Sequence, residues 1–381
     1  MTIVDILKEN CCGCTACYAV CGVHAIRMVR DDQGFQYPEI DNDKCVKCGL
    51  CYYVCPSNEP HNNMPIECYA AKLKDVHSLL KSTSGGLGHA LAQYVVSAGG
   101  IAYGVICEDT SKIVTQRIVD LADLDRLRGS KYVQTDPRNT FNEVLQDLKV
   151  GKKVVYFGTS CHIDGLLLFL MKKKVDIRNL LTVDLICHGV PSPMLFEEYI
   201  AYISKRRKVR DYLFRTKANG WNGHVHQIIY MDGSREKNTR RVNAFMQLFF
   251  SNNCLRPNCY YCNYAGKGRA ADITIADYWG IQQSHPEFYD RNGVSLVLIN
   301  TEKGMRVFKL LYDIEYIETS YEDACRKQAN QFAPSKKSGS YDNFWMDYKT
   351  YGFEYILKKY TDISILEVLK RVFNRQINRY K

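Results

Sequence analysis

Nine cysteines fall in the first sixty residues, and eight of them are spaced for one kind of chemistry. Cys11, Cys14, Cys17 and Cys21 read C-x2-C-x2-C-x3-C, and Cys45, Cys48, Cys51 and Cys55 repeat it, with Pro56 directly after. This is the spacing by which a chain wraps two [4Fe–4S] cubanes. Two-residue gaps let the backbone curl so that three sulfurs converge on one cluster. The three-residue step carries the last cysteine to the other cluster. Cluster one is therefore expected to take Cys11, Cys14, Cys17 and Cys55. Cluster two is expected to take Cys45, Cys48, Cys51 and Cys21. Pairs of the form C-x2-C can also hold zinc, but zinc has no use for two such runs in pseudo-repeat. Cys12 falls outside the spacing and reads as a non-ligand.

The elements that must hold these thiols are short. Ala25–Val29 and Gly34–Tyr37 read as two strands around Asp31-Asp-Gln-Gly34, a hairpin signal. The arrangement resembles the bacterial two-cluster ferredoxins, which implies an α+β dicluster domain over residues 1–58. Gly22 stands where the first run of that family often has Pro.

A chain of 381 residues is too long for one small core, so two or three domains are expected. Met1 to Lys8 has no long apolar stretch before the cysteines, so no signal peptide is expected. Cluster thiolates must stay reduced, which favours the cytoplasm. The longest apolar run, Leu166 to Met171, is far too short to span a bilayer, and a membrane partner is not expected. The formal net charge is +10. That count takes every cysteine as neutral, and each cluster with its four thiolates adds about −2. Much of the basicity is thus counter-charge to cofactors. No nucleic-acid motif accompanies it, so nucleic acid is not an expected partner.

Past the dicluster region, Pro56 to Pro65 is polar, proline-rich and unpatterned, and reads as a linker. Lys81-Ser-Thr-Ser-Gly-Gly-Leu-Gly88 then leads into a helical pattern. Hydroxyls and glycines opening a helix suit a phosphate, and they equally suit an ordinary N-cap. Strands are expected at Ile101–Cys107, Ile113–Val119, Val154–Phe157, Leu181–Ile186, Ile273–Ile275 and Val294–Ile299, with helices between them. Strand and helix alternating at these lengths argue an α/β domain with parallel strands. In such sheets ligands sit beyond the carboxyl ends of the strands. Cys161 and Cys187 both lie just past strand ends. Cys259-Tyr-Tyr-Cys262 is a further C-x2-C pair, in a loop. The last stretch, Asp362 to Tyr380, has an apolar face opposite Arg and Lys. It can pack on the body or a partner subunit or lie on a membrane.

Taken in order, Ser82-Thr-Ser-Gly-Gly86, Gly129-Ser-Lys-Tyr132, Gly158-Thr-Ser-Cys161, Cys187-His-Gly, Cys259-Tyr-Tyr-Cys262 and Asp272-Ile-Thr-Ile-Ala-Asp-Tyr-Trp-Gly280 resemble one family. It is that of the beta subunit of coenzyme F420-reducing hydrogenase and its dehydrogenase relatives. The resemblance runs from about Ile66 to Thr319, over parts 66–150 and 151–319, and leaves 320–381 as a helical tail. It implies FAD and a [4Fe–4S] cluster in an α/β flavin-binding domain. It also implies electron passage between iron–sulfur centres and a deazaflavin or another two-electron carrier, with ferredoxin or another subunit as redox partner. By the same resemblance FAD is met by Ser82, Thr83, Ser84, Gly85, Gly86, Gly129, Ser130, Lys131, Tyr132, Gly158 and Thr159. Donors at a helix start, with Lys131 as cation, would face its phosphates. A third cluster is expected on Cys161, Cys187, Cys259 and Cys262, with Cys254 as the alternative fourth ligand. Two departures are Ser160-Cys161-His162 where the family often has Pro-Cys-Gln, and Ala276 where it often has Gly. Competing expectations are a non-catalytic electron-transfer subunit and a zinc-stabilised binding module.

Overall fold

Asp31 turns the first hairpin. Its Oδ1 accepts from the amides of Gln33 and Phe35 at 3.1 and 2.9 Å, and Gly34 takes a positive φ of 83°. Strands β1 (Ile26–Arg30) and β2 (Gln36–Ile40) pair antiparallel across it, as the sequence predicts. The computed structural model describes residues 1–364 apart from 59, 62 and 267. The amphipathic stretch expected over Asp362–Tyr380 therefore lies, beyond residue 364, outside the described residues.

The body follows with β3 (Glu67–Leu73), β4 (Ile101–Cys107), β5 (Ile113–Ile118), β6 (Val154–Phe157) and β7 (Leu180–Leu185). A separate antiparallel sheet comes next, of β8 (Val209–Thr216), β9 (Val225–Tyr230) and β10 (Arg235–Lys237). Then come β11 (Ile273–Asp277), β12 (Ser295–Ile299) and β13 (Ile314–Thr319). The large sheet runs β13-β3-β12-β11-β7-β6-β4-β5. Its four middle strands, β11, β7, β6 and β4, are parallel. The four outer strands pair antiparallel. The expected parallel sheet is thus mixed, with parallel strands confined to its centre. Strand β7 reads Leu-Leu-Thr-Val-Asp-Leu and is buried at all but its last residue, the near-continuous pattern of a strand covered on both faces. Parts 66–150 and 151–319 do not form separate layers. Strand β3 inserts between β12 and β13, and β4 between β5 and β6.

The helix after β6 spans Ser160–Lys172, starting earlier than the Gly165 the sequence suggests. Its first turn thereby includes Cys161. Along one side Ile163, Leu166, Phe169 and Leu170 are buried in the same core as Cys14, Ala16, Cys17 and Val20 of the dicluster region. Burying each large apolar side chain is worth roughly 1.5–3 kcal/mol, so the two regions share a core. At Gly165 an added Cβ would stand 2.6 Å from the Cys14 sulfur. The stretch expected to be a loose linker is pinned. The amide of His61 donates to Asp164 at 3.0 Å and its ring bonds the same carboxylate, while Ser57 donates to the Asn10 carbonyl at 2.5 Å. After residue 320, helices lie at Tyr321–Cys325, Ala329–Phe332, Tyr341–Tyr351 and Phe353–Tyr360. The last two pack their aromatic residues against the small sheet's core.

Candidate functional site

At the carboxyl ends of β4, β6, β7 and β11 a cavity of about 650 Å³ opens. This is the edge where such sheets bind ligands. Ten of the eleven residues expected to meet a flavin line it: Ser82, Thr83, Ser84, Gly86, Gly129, Ser130, Lys131, Tyr132, Gly158 and Thr159. Two distant stretches meet here because the Ser130 amide donates to Thr83 Oγ1 at 3.0 Å. Gly86, at a φ of 87°, opens the helix Leu87–Ser97, so the loop does end at a helix start. Gly85 is the exception. A Cβ there would press on the Ala71 carbonyl and lie 2.5 Å from the Ser295 amide. Gly85 lets the loop lie against β3 and β12, outside the cavity lining.

Lys131, expected near the flavin phosphates, is bonded to backbone carbonyls. Its Nζ donates to the carbonyls of Arg126, Leu127 and Arg128 at 3.1, 3.1 and 2.7 Å. Burial pulls its pKa down to about 7, while three carbonyl acceptors act to keep the proton on. The ammonium holds the end of the 3-10 turn Leu121–Leu127. The guanidinium that does reach the loop is Arg128, with Nη1 on Ser82 Oγ at 2.8 Å.

Cys161, Cys187, Cys259 and Cys262 all line the same cavity. Burial raises the Cys187 thiol to about 12, with Cys161 and Cys262 adding to it. Burial likewise raises Cys259, next to Cys187, Cys161 and Cys262. The four thiols are therefore mutual neighbours. Cys254 stands apart, fully buried, its thiol donating to the Leu248 carbonyl at 3.3 Å. His188 serves as a nearby hydrogen-bonding residue. Its Nε2 meets Asn252 Oδ1 at 2.8 Å and its Nδ1 meets Asn330 Oδ1 at 3.3 Å. His162 is buried in the cavity wall, and burial lowers its pKa to about 4.

The front domain brings the thiols expected to hold clusters close together. Burial raises Cys17, with Cys11, Cys55 and Cys51 adding to it, and burial raises Cys55, with Cys11 and Cys51 adding to it. Cys21, Cys45, Cys48 and Cys51 line one small cavity together. Among the described residues, no three or more His, Cys, Asp or Glu gather tightly enough for a single metal ion. A cubane takes its thiolates from separate corners, on a wider frame. The donor set fits cubanes in a second way. Amides of Ile3, Ala25 and Val190 donate to the sulfurs of Cys51, Cys21 and Cys259 at 3.3, 3.3 and 3.4 Å. Hydrogen bonds to sulfur are one means of tuning cluster potential.

Cys12, expected to be no ligand, is buried between the two regions. Its thiol is 4.0 Å from the Cys161 carbonyl, and it lines the large cavity. Two other residues were silent in the sequence. Asp164 is fully buried and receives His61 and, at 2.5 Å, the Tyr264 hydroxyl. Arg256 is fully buried against Cys11. Neither belongs to a spaced motif; their partners come from stretches distant in sequence.

Residues 151–324 match the family model for the C terminus of the coenzyme F420 hydrogenase/dehydrogenase beta subunit. Residues 10–58 match the 4Fe-4S dicluster domain. No curated protein matches the chain. Among solved structures, a chain of the F420-reducing [NiFe] hydrogenase complex from Methanosarcina barkeri is similar over 72% of this chain and 91% of its own, at 14% identity and a TM-score of 0.47. No helix among the described residues is long and apolar enough to cross a membrane. Residues 151–324 thus match the C-terminal part of the coenzyme F420 hydrogenase/dehydrogenase beta subunit, an oxidoreductase family, behind a 4Fe-4S dicluster domain at residues 10–58.

Proposed function

We propose that the chain is an iron–sulfur flavoprotein that relays electrons between a protein partner and a small two-electron carrier, such as an F420-like deazaflavin. One observation carries the reading. A single cavity wall joins four mutually close cysteines to the Ser82–Gly86 and Gly129–Tyr132 loops. Bound FAD would couple one-electron exchange at the clusters to two-electron exchange with the carrier. The residues supply the rest. Cys11, Cys14, Cys17 and Cys55 hold the cluster nearer the body, and Cys21, Cys45, Cys48 and Cys51 the outer one. Cys161, Cys187, Cys259 and Cys262 hold a third at the cavity. Backbone amides around Ser82–Gly86, with Arg128 behind them, complement phosphate charge. The body's core and the helix Ser160–Lys172 keep water from the path between front domain and cavity.

Cys48 is exposed, as are Val46 and Tyr53 beside it. An exposed thiol ligand with apolar neighbours suits contact with a redox protein, ferredoxin or another subunit. The same observation favours a second reading, in which the chain only carries electrons and a partner performs the two-electron chemistry. The test is anaerobic purification followed by iron and flavin analysis. About 12 Fe per chain, four for each cubane, with FAD released on denaturation, is the expected result. About 8 Fe, or no flavin bound when FAD is added, would overturn the reading. Turnover of the single chain with a reduced dye and a deazaflavin separates the first reading from the second.

A further inference from the structure

No motif marks Arg256, yet it is fully buried at the contact between front domain and body. Its Nε donates to the Cys11 carbonyl at 2.6 Å. Nη1 donates to Gln134 Oε1 at 3.0 Å, and Nη2 to the Gln36 carbonyl at 2.9 Å and the Cys11 sulfur at 3.4 Å. The guanidinium lies 4.3 Å from the centre of the Tyr37 ring. The carbonyl and amide acceptors are neutral, as is Cys11 when it is a free thiol, and no carboxylate among the described residues forms an ion pair with it. A buried cation needs a counter-charge nearby.

On the other side of the contact Arg256 lines the same cavity as Cys161 and His162. Arg256 also lies three residues before Cys259 in the loop that closes the cavity. It therefore stands between Cys11 of one ligand set and Cys161 of another. A [4Fe–4S] cluster with four thiolates is a net anion, and reduction makes it more so. A fixed cation beside a sulfur stabilises the reduced form and raises the potential.

We propose that Arg256 is the electrostatic bridge of the relay: its buried charge has the Cys11 cluster as counter-ion, raises that cluster's potential, and fastens it to the loop carrying Cys259 and Cys262. The inference rests on the proposed relay. It predicts that a cation is needed at 256, whatever its shape.

The experiment is a redox titration of anaerobic full-length protein, followed by electron paramagnetic resonance, for wild type, Arg256→Gln and Arg256→Lys. In Arg256→Gln the midpoint potential of one cluster should fall while the others hold. Arg256→Lys should recover most of the shift. Loss of about four iron per chain in Arg256→Gln, but not in Arg256→Lys, supports the same role, since only charge separates the two. Equal iron loss in both variants would assign Arg256 to packing and overturn the proposal. So would unmoved potentials with full iron, or a change confined to flavin retention. Clusters absent from the unaltered protein would instead overturn the relay itself.

Discussion

Cys187 and Cys254 are the residues that most sharply separate two accounts of the cavity. Both are buried cysteines in the family region, and a free cysteine is often only a small core residue. Cys187 has Cys161, Cys259 and Cys262 around it, while Cys254 has the Leu248 carbonyl. Cys187→Ala should therefore lose about four iron per chain, one cubane, and Cys254→Ala should keep them. The reverse pattern would transfer the ligand role to Cys254. A second residue makes a pH prediction. His89 lines the cavity, its Nδ1 is buried without a hydrogen-bond partner, and its pKa drops to about 4. Burial is the chief cause, with Arg128 and Lys81 adding to it and Asp125 and Gln93 opposing. The unfolded value is 6.5, so the unfolded chain binds the extra proton first as pH falls. Stability from this group is whole above pH 6.5, is lost down to about pH 4, and changes no further below. The half-buried ring limits the loss to on the order of 1 kcal/mol. Denaturant melts across that range should be flatter for His89→Gln; an identical slope would exclude His89 as a source.

The helix Ser160–Lys172 joins the two halves of the site, and Gly165 tests that joint. Alanine in a helix interior is better than glycine by about 1 kcal/mol, so a purely local view expects Gly165→Ala to stabilise. Here the new Cβ would meet the Cys14 sulfur at 2.6 Å and Cys14 Cβ at 3.0 Å. Overpacking of this kind costs roughly 1–3 kcal/mol. We expect a net loss of stability and partial loss of the Cys14 cluster's iron, read by denaturant melt and iron analysis. Unchanged stability with full iron would mean that the front domain shifts freely on this helix. How far such a joint is legible in the sequence depends on range. Strand β4 and strand β6 are visible residue for residue, because a buried strand leaves a run of apolar residues. The ligand edge follows from strand order alone, and the cavity lies on it. Strand β13 is hidden: Ile314-Glu-Tyr-Ile-Glu-Thr is an edge strand with charged outer positions, and its partner β3 is far away in sequence. Asp164, Arg256 and the Lys131 carbonyl cage are hidden for the same reason. Each takes its meaning from a partner that only packing supplies, or from a loop whose curl no spacing announces.

Across the whole molecule the three thiol sets fall in order from surface to cavity, and that order is testable. In the outermost set Cys48 is exposed and Cys45 and Cys21 are half-buried. In the next, Cys14, Cys17 and Cys55 are buried and Cys11 half-buried, so this set has no exposed thiol, while the core of the helix that bears Cys161 reaches both sets through Cys14, Cys17, Cys55 and Cys51. The third set opens on the cavity itself. A protein donor is too large to reach the inner sets and must deliver at the surface. A small chemical reductant has no such limit. Cys48→Ser should therefore remove the outer cluster and slow reduction by a protein donor by about tenfold or more, a barrier increase of about 1.4 kcal/mol or above. Reduction by dithionite of the flavin proposed to bind should persist at close to the unaltered rate. Stopped-flow measurement with both reductants on the same anaerobic sample reads the two arms together. If the variant keeps the full rate with the protein donor, electrons do not come in through the Cys48 end, and the surface around Val46 and Tyr53 is not the docking face. If both rates fall together, the front domain has lost its fold rather than one cluster. Iron analysis, with about 8 Fe expected against about 12 in the unaltered chain, tells that case from the first.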